Sequence, residues 1–408
     1  MTNKQTAIKI IEKLRSNGFQ ALLAGGCVRD MLLARPAKDF DIATDAGPDE
    51  VSKLFRRTLK VGVKFGVVIV LLDSSQIEVA TFRTETGYYD GRHPGSVKFA
   101  GAAEDASRRD FTINGMFYDP IDSKVIDYVE GQVDLKKRLI RTIGNPDDRF
   151  SEDYLRMLRA IRFSTQLDFK IEPRTFAAIC RYSEKIKNIS GERISAELEG
   201  ILVNPNRAKG IKLLIETGLA ETIFPAFSKY TGSNVTVLGH LRRKVDFPLA
   251  LTAFFADCPT DFALDKCLIL KLSRNQAKHL KFLLDSRGKL LNENMSLSGL
   301  RILLANPYFD DLFELQRAIQ KSKALSRGAL SPLIKLRRRI KALGDIEFRP
   351  KPLLNGHDLI RLGAVHGPSL GQLTQELYIA QLEGTIRTPE EAKLWAQVWL
   401  QKHKTDTA

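Results

Sequence analysis

The chain is short of the residues that mark a stapled, metal-clipped or membrane-embedded protein. Its 408 residues include four cysteines, Cys27, Cys180, Cys258 and Cys267, which lie far apart and never in Cys-x-x-Cys spacing. That pattern argues against a disulfide framework and a structural zinc site, and it fits a reducing, cytoplasmic compartment. No apolar run is long enough to cross a bilayer, and the amphipathic start over residues 1–18 has no secretory core, so no membrane is expected as a partner. Internal repeats and low-complexity tracts are missing. Histidine is scarce: His357-Asp358 suggests a metal phosphohydrolase, but His240, His279 and His366 are not spaced to complete its ligand set. A helix start at Asn355 or His357 is the simpler account. Acidic residues are too few to balance the basic ones, 48 against 63, leaving a formal charge of +15. A polyanion is the partner such a surplus suits, because lysines and arginines that neutralise phosphates release counterions.

What the chain does have is enough apolar sequence, 43% hydrophobic with 27% charged, to fold two or more packed units. Residues 19–24 are apolar enough for a buried strand, and Gly25-Gly26 then permits a tight turn and close approach of a ligand. Residues 27–33 read as a short helix carrying Arg29 and Asp30, with its start available to an anion. Lys38 leads into Asp39-Phe40-Asp41, and Ile42 continues a second strand. Asp39 and Asp41, two apart on a strand, would point to one side. There magnesium could bridge their carboxylates and a nucleotide's phosphates. An Asp-x-Asp pair alone is common on polar edges; the whole stretch is far more specific.

The pattern elsewhere is α+β. Residues 5–14 read as a helix, 67–72 and 77–82 as strands joined by a turn at 73–76, and 111–118 and 125–128 as further extended segments. Residues 84–98, glycine-rich and polar, read as a mobile loop holding His93 as a surface or RNA-contacting group. Beyond residues 144–146 strand signal almost disappears. Ser151 is a plausible N-cap for a helix over 152–163, and helices follow near 175–186, 193–202 and 208–217. After 347–350 come helices near 358–362, 370–383 and 389–401. Arg242, Arg243 and Lys244 form one basic cluster; Arg317, Lys321, Lys323, Arg327, Lys335, Arg337, Arg338, Arg339 and Lys341 form another, and together they are a candidate track for a polyanion's phosphates.

Five more stretches follow the glycine–aspartate segment in a telling order: Glu78 to Arg83; Arg108-Arg109-Asp110-Phe111-Thr112-Ile113-Asn114; Asp127-Tyr128 with Gly131, Asp134-Leu135 and Ile140-Arg141; Glu152-Asp153-Tyr154-Leu155-Arg156; and Gly191-Glu192-Arg193-Ile194 with Glu197-Leu198. Together they resemble the ordered motifs of class II polymerase-β-like nucleotidyltransferases, the CCA-adding enzymes and bacterial poly(A) polymerases, across roughly the first half of the chain. Residues 351–384, with Gly356, Asp358-Leu359-Ile360 and Gly367-Pro368, resemble the tail segment of CCA-adding enzymes.

The resemblance implies an α+β protein: a nucleotidyltransferase head with a mixed sheet over 1–143, then an all-helical neck over 144–205, body over 206–330 and RNA-binding tail over 331–408. It implies catalysis by Asp39, Asp41 and Glu78, with Asp39 and Asp41 as metal ligands for two magnesium ions and Glu78 as further ligand or as base. Nucleotide binding falls to Gly25, Gly26, Arg29, Arg108, Arg109, Asp110, Asn114, Asp153, Arg156, Arg159 and Arg162. Asp110 and Asn114 suit ribose hydroxyls. Asp153 and Arg156, three apart on one helix, would match the Watson–Crick edge of cytosine or adenine, braced by Glu152 and by Glu192–Arg193. The expected substrates are CTP, ATP and a transfer RNA 3′ end, with no DNA and no obligate protein partner. A loop at 84–98 helps such enzymes switch from cytosine to adenine, which argues against a cytosine-only enzyme. Poly(A) polymerases tend to carry Pro-Val where Tyr154-Leu155 stands, so CCA addition is favoured over poly(A) synthesis. Gly115, alanine in many members, leaves the subgroup open, including an enzyme adding only the terminal adenosine. A non-catalytic RNA-binding protein on the same scaffold is the reading from another class; the intact Asp39, Asp41, Arg109, Asp153 and Arg156 oppose it.

Overall fold

The computed structural model describes residues 2–37, 39–59, 65–88, 94–230, 232–323, 329–343 and 350–403. Lys38, His93, Arg327 and the 347–349 stretch lie outside the described residues. The chain divides into two compact units, one of residues 1–235 with 257–272, the other of 236–256 with 273–408. Among the described residues no helix is long and apolar enough to cross a membrane.

The first unit opens with α1 (Asn3–Ser16), started by a capping box in which Thr2 and Gln5 exchange hydrogen bonds. Its buried Ile10, Ile11 and Leu14 form the apolar stripe expected of a helix lying on a sheet. The strands are β1 (Ala21–Ala24), β2 (Asp41–Thr44), β3 (Thr58–Leu59), β4 (Val67–Leu72), β5 (Ser75–Thr81), β6 (Arg83–Tyr88), β7 (Pro94–Phe99), β8 (Phe117–Asp119), β9 (Lys124–Ile126), β10 (Leu139–Ile140) and β11 (Lys170–Ile171). Seven of them make one mixed sheet in the order β3-β4-β5-β2-β1-β8-β9, with β2 parallel to β5 and the other neighbours antiparallel. The β4–β5 hairpin closes on Asp73 and Ser74, whose φ of 49° and 64° supply the left-handed pair a two-residue turn needs. Leu22, Ala24, Ala43, Phe82, Ala106 and Phe117 pack beneath, with Phe82 and Phe117 edge to face at 5.7 Å.

Register assembles the site. Ala24 pairs with Asp41 across β1 and β2, so the Gly25–Gly26 turn that follows β1 emerges beside the aspartate that starts β2. Ala24 also pairs with Phe117, and the Gly25 amide donates to the Met116 carbonyl at 3.2 Å, which brings the residues before β8 to the same end. The strand begins at Asp41, so Asp39 sits just outside it rather than on it.

Three local expectations need correction. Residues 83–88 and 94–99 pair as the antiparallel strands β6 and β7 of a separate sheet, Arg83 with Phe99 and Tyr88 with Pro94; their β-favouring Thr, Tyr and Val residues outweigh the glycines. Of the extended stretch 111–118, Thr112–Asn114 is a 3₁₀ turn and β8 follows it. The helix read from Ser151 is two helices. Among the helices of this unit are α2 (Gly26–Leu32), α3 (Pro48–Leu54), α4 (Ala102–Ser107), α5 (Gly131–Lys137), α6 (Pro146–Glu152) and α7 (Leu155–Leu167). α6 starts earlier than expected because Asn145 caps it and Pro146 fits the first turn. It stops at Asp153, which adopts extended backbone with φ −147° and ψ 105°. Ser151 lies inside α6, its hydroxyl donating to the Asp148 carbonyl at 2.7 Å.

α8 (Pro173–Tyr182) and α9 (Gly191–Leu202) complete the helices nearest the site. A Cβ on Gly191 would lie 1.7 Å from the Ile269 carbonyl oxygen, so glycine is what lets α9 meet that backbone. Gly191→Ala should lower stability by roughly 3 kcal/mol, read as a fall in the thermal midpoint; an unchanged midpoint would refute the close packing.

The second unit is helical among its described residues. Leu354, Leu359, Leu373, Leu377, Ala396 and Trp399 build the core shared by Gly356–Arg361, Pro368–Glu383 and Pro389–His403. Asn355 caps the first of these, accepting the amides of His357 and Asp358, which accounts for the His357-Asp358 pair without a metal.

Candidate active site

A cavity of about 680 Å³ in the first unit gathers most of the candidate residues. Gly25, Gly26, Arg29, Asp39, Asp41, Arg108, Arg109, Asp110, Asn114, Asp153, Arg156, Arg159 and Arg162 all line it, joined by Leu155, Phe163 and Arg193. A second hollow of about 630 Å³ shares Gly26, Arg29, Asp39, Asp41 and Arg162 with the first. The aspartates are thus reachable from both.

Gly25 answers two constraints. Its φ of 74° is costly for any side chain, and a Cβ would stand 3.0 Å from Nη1 of Arg109. Beside it, the surrounding protein strips water from Asp41, and the nearby Glu78 and Asp39 carboxylates add repulsion that Arg109 only partly offsets. The Asp41 carboxyl is pushed up to about 6. On β5, parallel to β2, Val79 pairs with Ile42, so Glu78 stands level with Asp41; it lines neither hollow and acts on Asp41 through charge. An all-oxygen acid group under mutual repulsion is the donor set that suits magnesium, and Asp39 and Asp41 would hold it.

A folded-state value above the usual 3.8 means the folded chain binds this proton more tightly than the unfolded one. Without metal or nucleotide, Asp41 should therefore cost the protein stability progressively as pH rises from about 4 through about 6. Asp41→Asn should remove that dependence and raise the thermal midpoint at neutral pH. Parallel melting curves of the two proteins in chelator across this range would contradict the assignment.

The arginines are held by carboxylates. Asp110, 9% exposed, accepts Nε and Nη2 of Arg159 through Oδ2 at 2.9 and 2.7 Å. Burial alone would raise the Asp110 pKa, but the Arg159 guanidinium and the Asn114 amide hold it below the usual carboxylate range. Asn114 accepts Nη1 of Arg29 at 2.8 Å and donates to Asp110 at 3.2 Å. Both residues expected at the ribose thus also anchor arginines. Glu197 accepts Nε of Arg162 at 2.6 Å and faces Arg159 at 3.9 Å. Phe163, which the sequence reading passed over, offers its ring to Arg29, Arg159 and Arg162 at 5.3, 5.3 and 4.3 Å.

Asp153 and Arg156 do not share a helix, and they have separate partners. Asp153 lies between α6 and α7; one oxygen accepts the Leu155 amide at 3.0 Å, and the other accepts Nη2 of Arg193 at 2.8 Å. Arg156 pairs with Glu152 and donates to the Arg149 carbonyl at 3.0 Å. Glu152 and Arg193 are thus braces, whereas Glu192 pairs with Lys271 at 2.8 Å and takes no part. Nη1 of Arg193 is buried without a hydrogen-bond partner. At Gly115 a Cβ would press on Val129 and Ile143 at 2.7 and 2.9 Å, so the departure from alanine is a packing matter behind the site.

In the second unit, much of the proposed basic track has intramolecular partners: Arg242 with Asp311, Arg317 with Glu314, Lys335 with Glu293, and Arg337 over the Phe313 ring. Asp246, His279 and Asp311 also cluster there, with ligand atoms within 4.8 Å of one another. Nδ1 of His279 faces Asp246 at 3.3 Å and Nε2 faces Asp311 at 3.3 Å, while the ring stacks on Tyr308. Nε2 of His279 is buried without a hydrogen-bond partner.

A family profile described as the poly A polymerase head domain matches residues 21–141, and one described as a probable RNA and SrmB-binding site of polymerase A matches residues 168–231. A CCA-adding enzyme of Enterococcus faecalis is 35% identical over 95% of this chain and 94% of its own length. One from Lactobacillus johnsonii is 33% identical over 95% of each. The crystal structure of a Bacillus stearothermophilus CCA-adding enzyme in complex with CTP superposes with a TM-score of 0.72, at 29% identity, over all of both chains. A head whose register sets a glycine turn against paired aspartates, under arginines brought in by the following helices, and full-length likeness to these relatives together show that the chain belongs to the CCA-adding enzyme family of nucleotidyltransferases.

Proposed function

We propose that the chain completes transfer RNA 3′ ends, adding two cytidines and one adenosine from CTP and ATP without a nucleic-acid template. The observation that carries this reading is one cavity holding the Asp39–Asp41 pair, the Gly25–Gly26 turn and the Asp153 and Arg156 side chains together. The CTP complex of the Bacillus stearothermophilus relative supports it. Magnesium, as two ions on Asp39 and Asp41, would relieve charge on the attacking and leaving oxygens. The backbone at Gly25 and Gly26, with Arg29, Arg108 and Arg109, orients the triphosphate. Asp110 and Asn114 hold the ribose and fix Arg159 and Arg29. Asp153 and Arg156 offer an acceptor and donors to the base edge. Glu78 completes the acid group or takes the proton from the RNA hydroxyl, which reaches the aspartates from the second hollow. We assign the head to 1–143, the neck to 144–205, the body to 206–330 and an RNA-binding tail to 331–408, working in the cytoplasm.

Incubation with transfer RNAs lacking A, CA or CCA, and each labelled nucleotide in turn, tests this. Two cytidines followed by one adenosine support it. A long adenosine tail would assign a poly(A) polymerase, a single adenosine on CC-ended RNA alone an A-adding enzyme, and RNA binding without incorporation a non-catalytic protein.

A further inference from the structure

Asp105, on α4, lines neither hollow and carries no role in the reading above. It is 1% exposed. Oδ1 accepts Nε of Arg108 at 2.8 Å and lies 2.7 Å from its Nη2; the same oxygen accepts the Arg83 amide at 3.3 Å. Oδ2 accepts Nε and Nη2 of Arg109 at 3.2 and 3.0 Å. One buried carboxylate thus grips the same edge of two neighbouring guanidiniums, both of which line the cavity. For Arg109 the consequence is directional. With its Nε–Nη2 edge engaged, Nη1 comes to lie beside the Gly25 turn and 3.4 Å from the Asn114 carbonyl, and the guanidinium stacks over Phe117 at 5.1 Å. Burial would favour the neutral acid, but the two guanidiniums outweigh it and hold Asp105 below the usual carboxylate range, so it remains an anion.

We infer that Asp105 is a positioning residue, one that presets the directions of Arg108 and Arg109 for the phosphates of the incoming nucleotide. The inference deepens the proposed function and rests on it. Phosphates are common to CTP and ATP, so Asp105 affects both alike and leaves base choice alone. An arginine fork recognises phosphate through fixed geometry, which a freely rotating side chain lacks. Only a carboxylate serves here. An asparagine would keep one acceptor and turn an amide donor against the other guanidinium.

Steady-state incorporation of C and of A by the full chain tests this. Asp105→Asn should raise KM for CTP and for ATP by roughly tenfold each, with kcat and transfer RNA affinity little changed, the signature of lost binding common to ground and transition states. Asp105→Glu, which restores the charge but not the reach, should fall between Asp105→Asn and the unaltered chain, and it carries the test if the asparagine variant does not fold. Wild-type KM values in either folded variant, or a rise for one nucleotide alone, would overturn the inference. Failure of the unaltered chain to add C or A would instead overturn the functional reading beneath it.

Discussion

Asp41→Ala is expected to lower nucleotide incorporation by roughly four orders of magnitude while leaving transfer RNA affinity nearly unchanged. Asp41 starts the strand beside the glycine turn, and its carboxyl is pushed up to about 6 by burial first and then by the nearby Glu78 and Asp39. Such an arrangement is unfavourable until a divalent cation neutralises it, and removing one of two proposed ligands removes the site rather than weakening it. On the proposed function RNA phosphates, by contrast, would be met by lysines and arginines spread over a chain of formal charge +15. Single-turnover assays with labelled CTP and ATP, alongside a binding isotherm for CCA-lacking transfer RNA, would separate the two. Retained turnover would refute the metal assignment. The same position should give opposite answers for folding and function, since Asp41→Asn is expected to stabilise the metal-free protein.

Asp153→Ala should erode base selection by about 100-fold, the loss expected when a charged hydrogen-bond acceptor is removed from a recognition site. The measurement is incorporation of CTP and ATP against UTP and GTP at each step of addition. Asp153 also accepts the Leu155 amide and pairs with Arg193, so the alanine variant would cost some stability as well. Asp153→Asn separates the two roles: its amide oxygen keeps an acceptor for the Leu155 amide while the charge facing Arg193 is gone. Lost selectivity with a near-normal thermal midpoint would locate the effect in recognition. Unchanged selectivity in both variants would end the selector role.

The parts legible in the sequence were those whose chemistry is local. Two adjacent glycines, two aspartates separated by one residue and an Arg-Arg-Asp run are each specified by the chain itself, and all of these residues line the cavity. Strands such as 67–72 announced themselves by β-branched runs. The errors fell where neighbours in space decided. Asp153 ends α6 in extended backbone, and its side chain is held by Arg193 of a later helix, a partner that helical periodicity cannot register. The β6 and β7 strands are visible only once they pair with each other. Phe163 carries no signal in the sequence; its place under three guanidiniums follows from the fold alone.

By itself, the sequence determined which atoms are available: oxygen donors for a divalent ion, guanidiniums for phosphate, and a positive surplus for RNA. Tertiary structure alone decided how those atoms are paired. Opposing Ala24 to Asp41 across two strands set the glycine turn against the acids. Burying Asp105, Asp110 and Glu197 beneath the arginines fixed their directions. The reason is physical: a side chain's identity sets its charge and reach, but its orientation is set by whatever satisfies its other polar atoms, and for Arg159 and Arg162 those partners, Asp110 and Glu197, lie far away along the chain.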